Sequence, residues 1–390
     1  MARNNLLSVL DIGSEKISVF VGVKGVNNIF IVKAKAEVNY GGFQEGEWLD
    51  YKNLGTAINK ALKLAEKQAD IKIKKLYLGV PGEFVTAVTK ELSPISFNKP
   101  RVISSGDLDV FYSQGSIYEQ TGEYVAINSA PIFYTLDNKT RLVDPCGATA
   151  KDIKGLVSFI LADKKFYVLM SKLMEKLGLK EVEFIASNWA EGMYLFDDET
   201  RDGTVLIADI GYITTSVTLL RGDGVLFHRA FSLGGGHIEA DIMRVLNVSY
   251  DQAMAIKKRI NLSLQPEENE YYDISVEGRS EKASVSYVQN IASARIMDIG
   301  ETIAECLKKC EYDCPAYLPL YITGGGISYI GGAKEIISEA TGRSIELIAP
   351  NVPEHSKPQY SSVFGVMHIA ERLEERAGGL KNIFQKLFRG

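Results

Sequence analysis

The sequence predicts an α/β protein of two related halves that face each other across a ligand cleft. Three observations predict it. Residues 5–25 read NLLSVLDIGSEKISVFVGVKG and residues 203–224 read GTVLIADIGYITTSVTLLRGDG, a weak internal duplication of strand, Asp-Ile-Gly turn and second strand. Residues 317–332, YLPLYITGGGISYIGG, add an apolar strand that runs into Gly324-Gly325-Gly326 and then a helical pattern. A further run, Gly234-Gly235-Gly236, follows the strand GVLFHRAFSL and opens a helix at 237–246.

Each element has a physical reason. In an Asp-x-Gly hairpin the glycine lets the backbone approach a ligand closely, and the turn amides point outward at an anion. One such turn is an ordinary hairpin sequence. Two copies in matching contexts, centred on Asp11-Ile12-Gly13 and Asp209-Ile210-Gly211 near the start of each half, point to two facing phosphate-binding hairpins. Strand, glycine turn and helix together seat a nucleotide against backbone amides and a helix N-terminus. A first helix spans 52–69, and a separate mixed segment occupies 77–163.

Taken in this order, the four elements resemble the superfamily of actin, the heat-shock chaperones and the sugar kinases, in which two lobes clasp ATP between two phosphate hairpins. The segment 77–163 resembles the small inserted domain of the bacterial cell-division actin homologue FtsA, most of all at Tyr134-x-Leu136-Asp137 followed by Asp144-Pro145-x-Gly147. Gly-Gly-x-x-Ile before Asp241-Ile242, then Ala253-x-x-x-Lys257, and Arg295 in a long helix near 287–310 continue the likeness. It implies an actin-like fold: two ribonuclease-H-like lobes around a nucleotide cleft, a small α+β insert and a C-terminal amphipathic helix. The implied division is a first lobe at 1–82 and 164–190, the insert at 83–163, a second lobe at 191–230 and 301–377, its subdomain at 231–300, and the terminal helix at 378–390.

The same resemblance implies the site. Asp11 would orient Mg²⁺ through ordered water; Gly13, Ser14 and Lys16 would cradle phosphates from one side, and Asp209, Gly211, Thr214 and Thr215 from the other. Gly324, Gly325 and Gly326 would face the adenosine, Lys257 would lie on the ribose side, and Gly235 and Gly236 would also bind the cofactor. Two departures bear on this. Tyr212, Ile213 and Ser216 stand where the family's second hairpin is glycine-rich and ends in an acid, and Met254 stands where a helix glutamate would precede Lys257. Bulk leaves less room for phosphate, and the lost carboxylate removes a partner for Mg²⁺ and water. ATP binding with at most weak hydrolysis is the expectation.

The last residues, GGLKNIFQKLFRG, carry their own physics. Leu380, Ile383, Phe384, Leu387 and Phe388 fall on one helical stripe, Lys381, Lys386 and Arg389 lie at other positions, and no acid follows Glu375. After Gly378-Gly379 this reads as a helix lying on an anionic membrane surface. Full burial of five apolar side chains sets an upper bound of roughly 10 kcal/mol, reduced by ordering the tail. The family also ends in such a helix.

Composition excludes other classes. A 46% hydrophobic and 24% charged chain of 390 residues is globular and multidomain. Its net charge of −5 argues against attraction to nucleic acid. No apolar run reaches the ~18 residues that span a bilayer, and Leu6 to Leu10 is too short for a signal-peptide core before Asp11, so a cytoplasmic location is expected. Four cysteines make no disulfide framework. Cys306, Cys310 and Cys314, at helical spacing before Pro315, read as small buried residues rather than zinc ligands. His228, His237, His355 and His368 show no metal spacing, and the acidic run at 266–270 reads as a solvated loop.

The resemblance therefore implies an ATP-binding adaptor on the cytoplasmic face of the membrane at the division site. It would form filaments with copies of itself, dock the C-terminal tail of the tubulin-like protein FtsZ around 231–300, and recruit other division proteins. The rivals are a small-molecule kinase of the same superfamily, which needs a substrate pocket with a catalytic carboxylate in the cleft, where the sequence offers no candidate beyond Asp11 and Asp209, and a pilus-assembly actin homologue, for which the terminal helix is unexpected.

Overall fold

A computed structural model describes residues 6–25, 29–41, 43–44, 47–48, 50–113, 122–276 and 278–387, with side chains outside 43–48, 111–113 and 376–387. The first half builds β1 (Leu7–Ile12), β2 (Lys16–Lys24), β3 (Phe30–Asn39), the short pair β4 (Phe43–Gln44) and β5 (Glu47–Trp48), α1 (Tyr51–Ala69) and β6 (Lys75–Val80). β1 and β2 are buried along almost their whole length, as their near-continuous apolar sequence requires of central strands. In α1, Leu54, Ala57, Ile58, Ala61, Leu62 and Ala65 form the buried face, and the Asp50 side chain caps the helix by accepting the Asn53 N–H at 3.0 Å.

After β6 the chain leaves the lobe. β7 (Val85–Val102), α2 (Ser105–Ser113), β8 (Tyr124–Leu136), β9 (Thr140–Leu142) and β10 (Thr149–Asp163) make an inserted antiparallel sheet in the order β7-β10-β8-β9. Tyr134 and Leu136 lie in its core with Leu92, Ile153, Val157 and Phe159. Asp137, in the left-handed region at φ +48°, accepts the N–H groups of Lys151 at 3.0 Å and Asp152 at 2.9 Å. The motif that carries the likeness in this segment is thus a packing and turn device. The chain returns through α3 (Lys164–Lys176), β11 (Glu181–Ala186), α4 (Ser187–Leu195) and α5 (Asp198–Asp202).

The second lobe holds β12 (Thr204–Ile210), β13 (Thr215–Arg221), β14 (Gly224–Phe231), α6 (Gly236–Leu246), α7 (Tyr250–Lys257), the hairpin β15 (Tyr271–Val276) and β16 (Arg279–Ser284), α8 (Val285–Lys308), β17 (Leu320–Thr323), α9 (Ala333–Thr341), β18 (Ile345–Leu347) and α10 (Ser361–Leu387). Its sheet runs β14-β13-β12-β17-β18, and the first-lobe sheet runs β3-β2-β1-β6-β11. In both, the first three strands are antiparallel and the last two join in parallel. The duplicated sequence motif therefore marks a duplicated sheet, with β1–β2 and β12–β13 as the corresponding hairpins. Arg295 on α8 grips Asp241 on α6 with two hydrogen bonds of 2.7 and 3.0 Å, so two residues of the family pattern meet as a bidentate pair.

Two expectations change. α8 ends at Lys308, where the N–H groups of Lys309 and Cys310 close the last turn on Cys306 and Leu307; Cys310 and Cys314 lie beyond it and are half-buried, so no single helical face carries the three cysteines. α10 follows the second lobe in sequence but packs on the first, with Val363, Phe364, Val366, Met367, Ile369 and Ala370 in the first-lobe core. The 301–377 unit is therefore split between lobes. The backbone of α10 continues through Gly378-Gly379 to Leu387 without a break at the glycines. The side chains of Leu380, Lys381, Ile383, Phe384, Lys386 and Leu387, and all of Phe388 and Arg389, lie outside the described residues.

Candidate functional site: a closed cleft between two Asp-Ile-Gly hairpins

The two hairpins are built alike. The N–H of Gly13 donates to Lys16 O at 3.0 Å, and the N–H of Gly211 donates to Thr214 O at 2.8 Å. They face each other across a cavity lined by Asp11, Gly13, Ser14 and Lys16 from the first, Asp209, Gly211 and Thr214 from the second, and Gly324 and Gly325 from the loop after β17. Across it the N–H of Ile213 donates to Ser14 Oγ at 3.1 Å, so the hairpins touch directly. Thr215 is not in the lining: fully buried, it donates its Oγ1–H to Leu233 O at 2.6 Å. Lys16 reaches the cavity wall, but its ammonium pairs with Glu37 at 2.6 Å, and Lys35 joins the same carboxylate at 2.8 Å.

The cavity is rich in carboxyl groups. Asp11 accepts a short hydrogen bond from the Ser362 hydroxyl on α10. Burial raises its pKa, and the Ser362 bond and nearby Lys16 offset part of that rise. Asp209 is pushed up to about 7 by burial and by the charge of Asp11. Two further acids come from elements that sequence reasoning passed over. Glu83 sits on the short turn after β6, and burial, with Asp209 and Asp11 nearby, brings it to about 7. Glu191 is buried on α4, bonded to Asp209, and its pKa rises well above the usual carboxylate value for the same reasons. The expectation that the cleft holds no carboxylate beyond the hairpin aspartates is thereby corrected. A glutamate in the otherwise apolar stretch WAEGM was the available signal for Glu191; Glu83, beside a Pro-Gly turn, gave none.

Behind the acids stands a buried polar group. Asn188 Nδ2 donates to His228 Nδ1 at 2.8 Å, and His228 Nε2 donates to Gly82 O at 2.8 Å, which fixes a neutral ring. Burial lowers the His228 pKa to about 4. Asn188 Oδ1 and Ser187 Oγ, both lining the cavity, have no hydrogen-bond partner among the described residues.

The glycine runs behave differently from the expectation. Gly324, at φ +90°, approaches so closely that a Cβ there would lie 2.2 Å from Asp209 Oδ1. The N–H groups of Gly235, Gly236 and Gly326 donate to Gly211 O, Tyr212 O and Ile210 O at 2.9, 2.6 and 2.8 Å. These three amides hold the second hairpin and do not point at a ligand. Lys257 is also committed: its ammonium, buried within α7, bonds Glu239 at 2.9 Å and Gly235 O at 2.6 Å. Glu239, on α6, supplies the acid that Met254 does not.

Donor chemistry and space disagree. Hard carboxyl and amide oxygens suit Mg²⁺, and the paired turns suit phosphate. Among the described residues, however, no three Asp, Glu, His or Cys side chains come close enough to share a metal ion. The cavity measures about 160 Å³, below the ~300–1,000 Å³ of ordinary small-molecule sites. The space between the touching hairpins is small for ATP with Mg²⁺.

The sequence pattern of the family described as "Cell division protein FtsA" matches residues 206–365. Cell division protein FtsA of Streptococcus pneumoniae serotype 2 (strain D39) is 25% identical over 385 residues, covering 96% of this chain and 82% of that protein. Its counterpart in Bacillus subtilis (strain 168) is 22% identical over 389 residues, covering 98% and 88%. Among solved structures, a chain of a PilM–PilN type IV pilus biogenesis complex superposes with a TM-score of 0.60 at 16% identity, covering 92% of this chain and 97% of that one. MreB 5 of Spiroplasma citri bound to AMPPNP gives 0.58 at 12%, covering 96% and 98%. At such identities the structures show the fold alone, which is actin-like. The sequence likeness to FtsA proteins runs almost end to end along the chain.

Proposed function

We propose that this chain acts in bacterial cell division as an actin-homologue adaptor that forms filaments on the cytoplasmic membrane surface and tethers the FtsZ ring there. The observation that supports it best is the likeness to FtsA proteins over 96% and 98% of the chain, a span that takes in the insert as well as both lobes. In this reading the insert, held out from the first lobe by β7 and β10, makes contacts between successive copies. The subdomain around 231–300, stiffened by the Arg295–Asp241 pair, receives the FtsZ tail. The stripe Leu380, Ile383, Phe384, Leu387 and Phe388 lies on the membrane, and Lys381, Lys386 and Arg389 meet anionic lipid. Many weak anchors on one filament then bind firmly by avidity.

ATP with Mg²⁺ is the ligand that the paired hairpins suit in chemistry, with Asp11, Gly13 and Ser14 on one side and Asp209, Gly211 and Thr214 on the other. AMPPNP bound by the related fold of MreB 5 supports that reading. Entry is eased when the lobes part, because the space between the touching hairpins is small. Glu83 and Glu191 give the kinase reading the carboxylates it lacked, but a kinase also needs space for a second substrate beside the nucleotide. The test is electron microscopy of the purified protein on lipid monolayers with ATP. Filaments support the adaptor; a monomeric protein with fast phosphoryl transfer to a small metabolite contradicts it.

A further inference from the structure

Tyr212 is the first residue after the glycine of the second hairpin, a position where bulk is unusual for a phosphate turn. Its ring lies flat against Gly236: a Cβ on that glycine would fall 2.7–2.8 Å from three carbons of the ring. The Lys257 ammonium stands 5.8 Å from the centre of the same ring and 5.8 Å from that of Tyr329. The Tyr212 hydroxyl is tied to the Tyr250 hydroxyl at 2.9 Å, at the exposed rim of α7. The side chain thus fills the space between the Gly236 turn and Lys257, the residue that would face the ribose. One residue further on, the N–H of Ile213 donates to Ser14 Oγ and bridges the place where phosphate would sit between the hairpins.

We infer that Tyr212 is a built-in plug that sets the nucleotide affinity of this chain, so that ATP enters only when the ring swings off Gly236 and the Ser14–Ile213 bridge opens. The inference rests on the nucleotide reading of the cleft and adds its regulation. It accounts for the mismatch between suitable chemistry and small space. The swing is open to the ring because it is half-exposed and its hydroxyl is bonded to Tyr250 at the exposed rim of α7. A population that is mostly plugged lowers the apparent affinity by the fraction of open molecules.

The test is calorimetric titration of the full chain and two variants with ATP and Mg²⁺, with thermal melting to establish folding. Tyr212→Ala removes the ring and should bind at least about tenfold more tightly than the wild type, as expected for a plug that keeps nine molecules in ten closed. Tyr250→Phe removes the hydroxyl tie and should gain about two- to tenfold, the range of one hydrogen bond. If Tyr212→Ala and the wild type bind equally, the plug is refuted and the nucleotide reading stands. If neither folded protein binds, both fall. Should Tyr212→Ala fail to fold, an unchanged affinity in Tyr250→Phe overturns the plug.

Discussion

His228 on β14 of the second lobe donates from Nε2 to the carbonyl of Gly82, 2.8 Å away on the turn after β6 of the first. That bond crosses the lobes and holds the turn from which Glu83 enters the cleft. Both groups titrate away from their ordinary values in opposite senses, so they pull the pH dependence of stability in opposite directions. His228 titrates near 4 in the fold and 6.5 otherwise, so acidification through that window protonates the unfolded chain first and weakens the fold. Glu83 and Asp209 titrate near 7 in the fold, far above their values of 4.5 and 3.8 in the open chain. Raising the pH from about 4 to 7 therefore draws protons from the unfolded chain first, and that too favours unfolding. The two carboxyl groups oppose the histidine below pH 6.5 and act unopposed by it above. Thermal melting should show stability declining from pH 6.5 to 8, and Glu83→Gln should flatten that decline. A wild-type curve that rises across this range contradicts the assignment.

The Lys257–Glu239 pair is nearly enclosed, and burial pulls both groups toward their neutral forms, lowering the lysine pKa and raising that of the glutamate. Removing one partner leaves the other buried without a counter-charge. Glu239→Ala should cost about 3 kcal/mol in urea unfolding, and the double variant Glu239→Leu with Lys257→Met should recover most of it. Equal losses in the single and double variants would show the pair to be unimportant.

Asp11 and Asp209 were legible because an Asp-Ile-Gly turn between apolar strands is a local pattern, and its repetition at 209–211 carried the duplicated sheet with it. The residues that close the cleft were not legible. Glu83 and Glu191 reach it from a turn and a helix separated by the whole insert, and Tyr212 looked only like unwelcome bulk. The amides of Gly235, Gly236 and Gly326 were assigned to ligand because glycine runs permit close approach; what approaches them is the second hairpin itself. α10 returned to the first lobe because Phe364 and Met367 complete that core, a long-range contact that no local periodicity encodes. The end of α8 before Cys310 was equally hidden, since the helical spacing of the cysteines continues past the point where the backbone turns.

Asp11→Ala should abolish whatever ATP binding the wild type shows in calorimetry, since the group offered to the hydrated metal is gone. Phosphoryl transfer to sugars or carboxylates should be undetectable in a coupled assay. A turnover rate of roughly 10 s⁻¹, ordinary for metabolic enzymes, would overturn the adaptor reading in favour of the kinase.

Phe384→Glu places a charge in the middle of the terminal apolar stripe, where its desolvation is costly. Vesicle binding should be lost with the melting temperature unchanged. Raised salt should weaken the wild type on anionic vesicles by screening Lys381, Lys386 and Arg389. An unfolded Phe384→Glu protein, together with a wild type that ignores vesicles, would make the stripe part of a core.

Co-sedimentation of FtsZ with anionic liposomes in the presence of this protein tests the central claim most directly. The full chain should carry FtsZ into the lipid pellet, and the chain without residues 378–390 should leave both proteins in the supernatant. FtsZ that remains in the supernatant with the folded full chain would contradict the account.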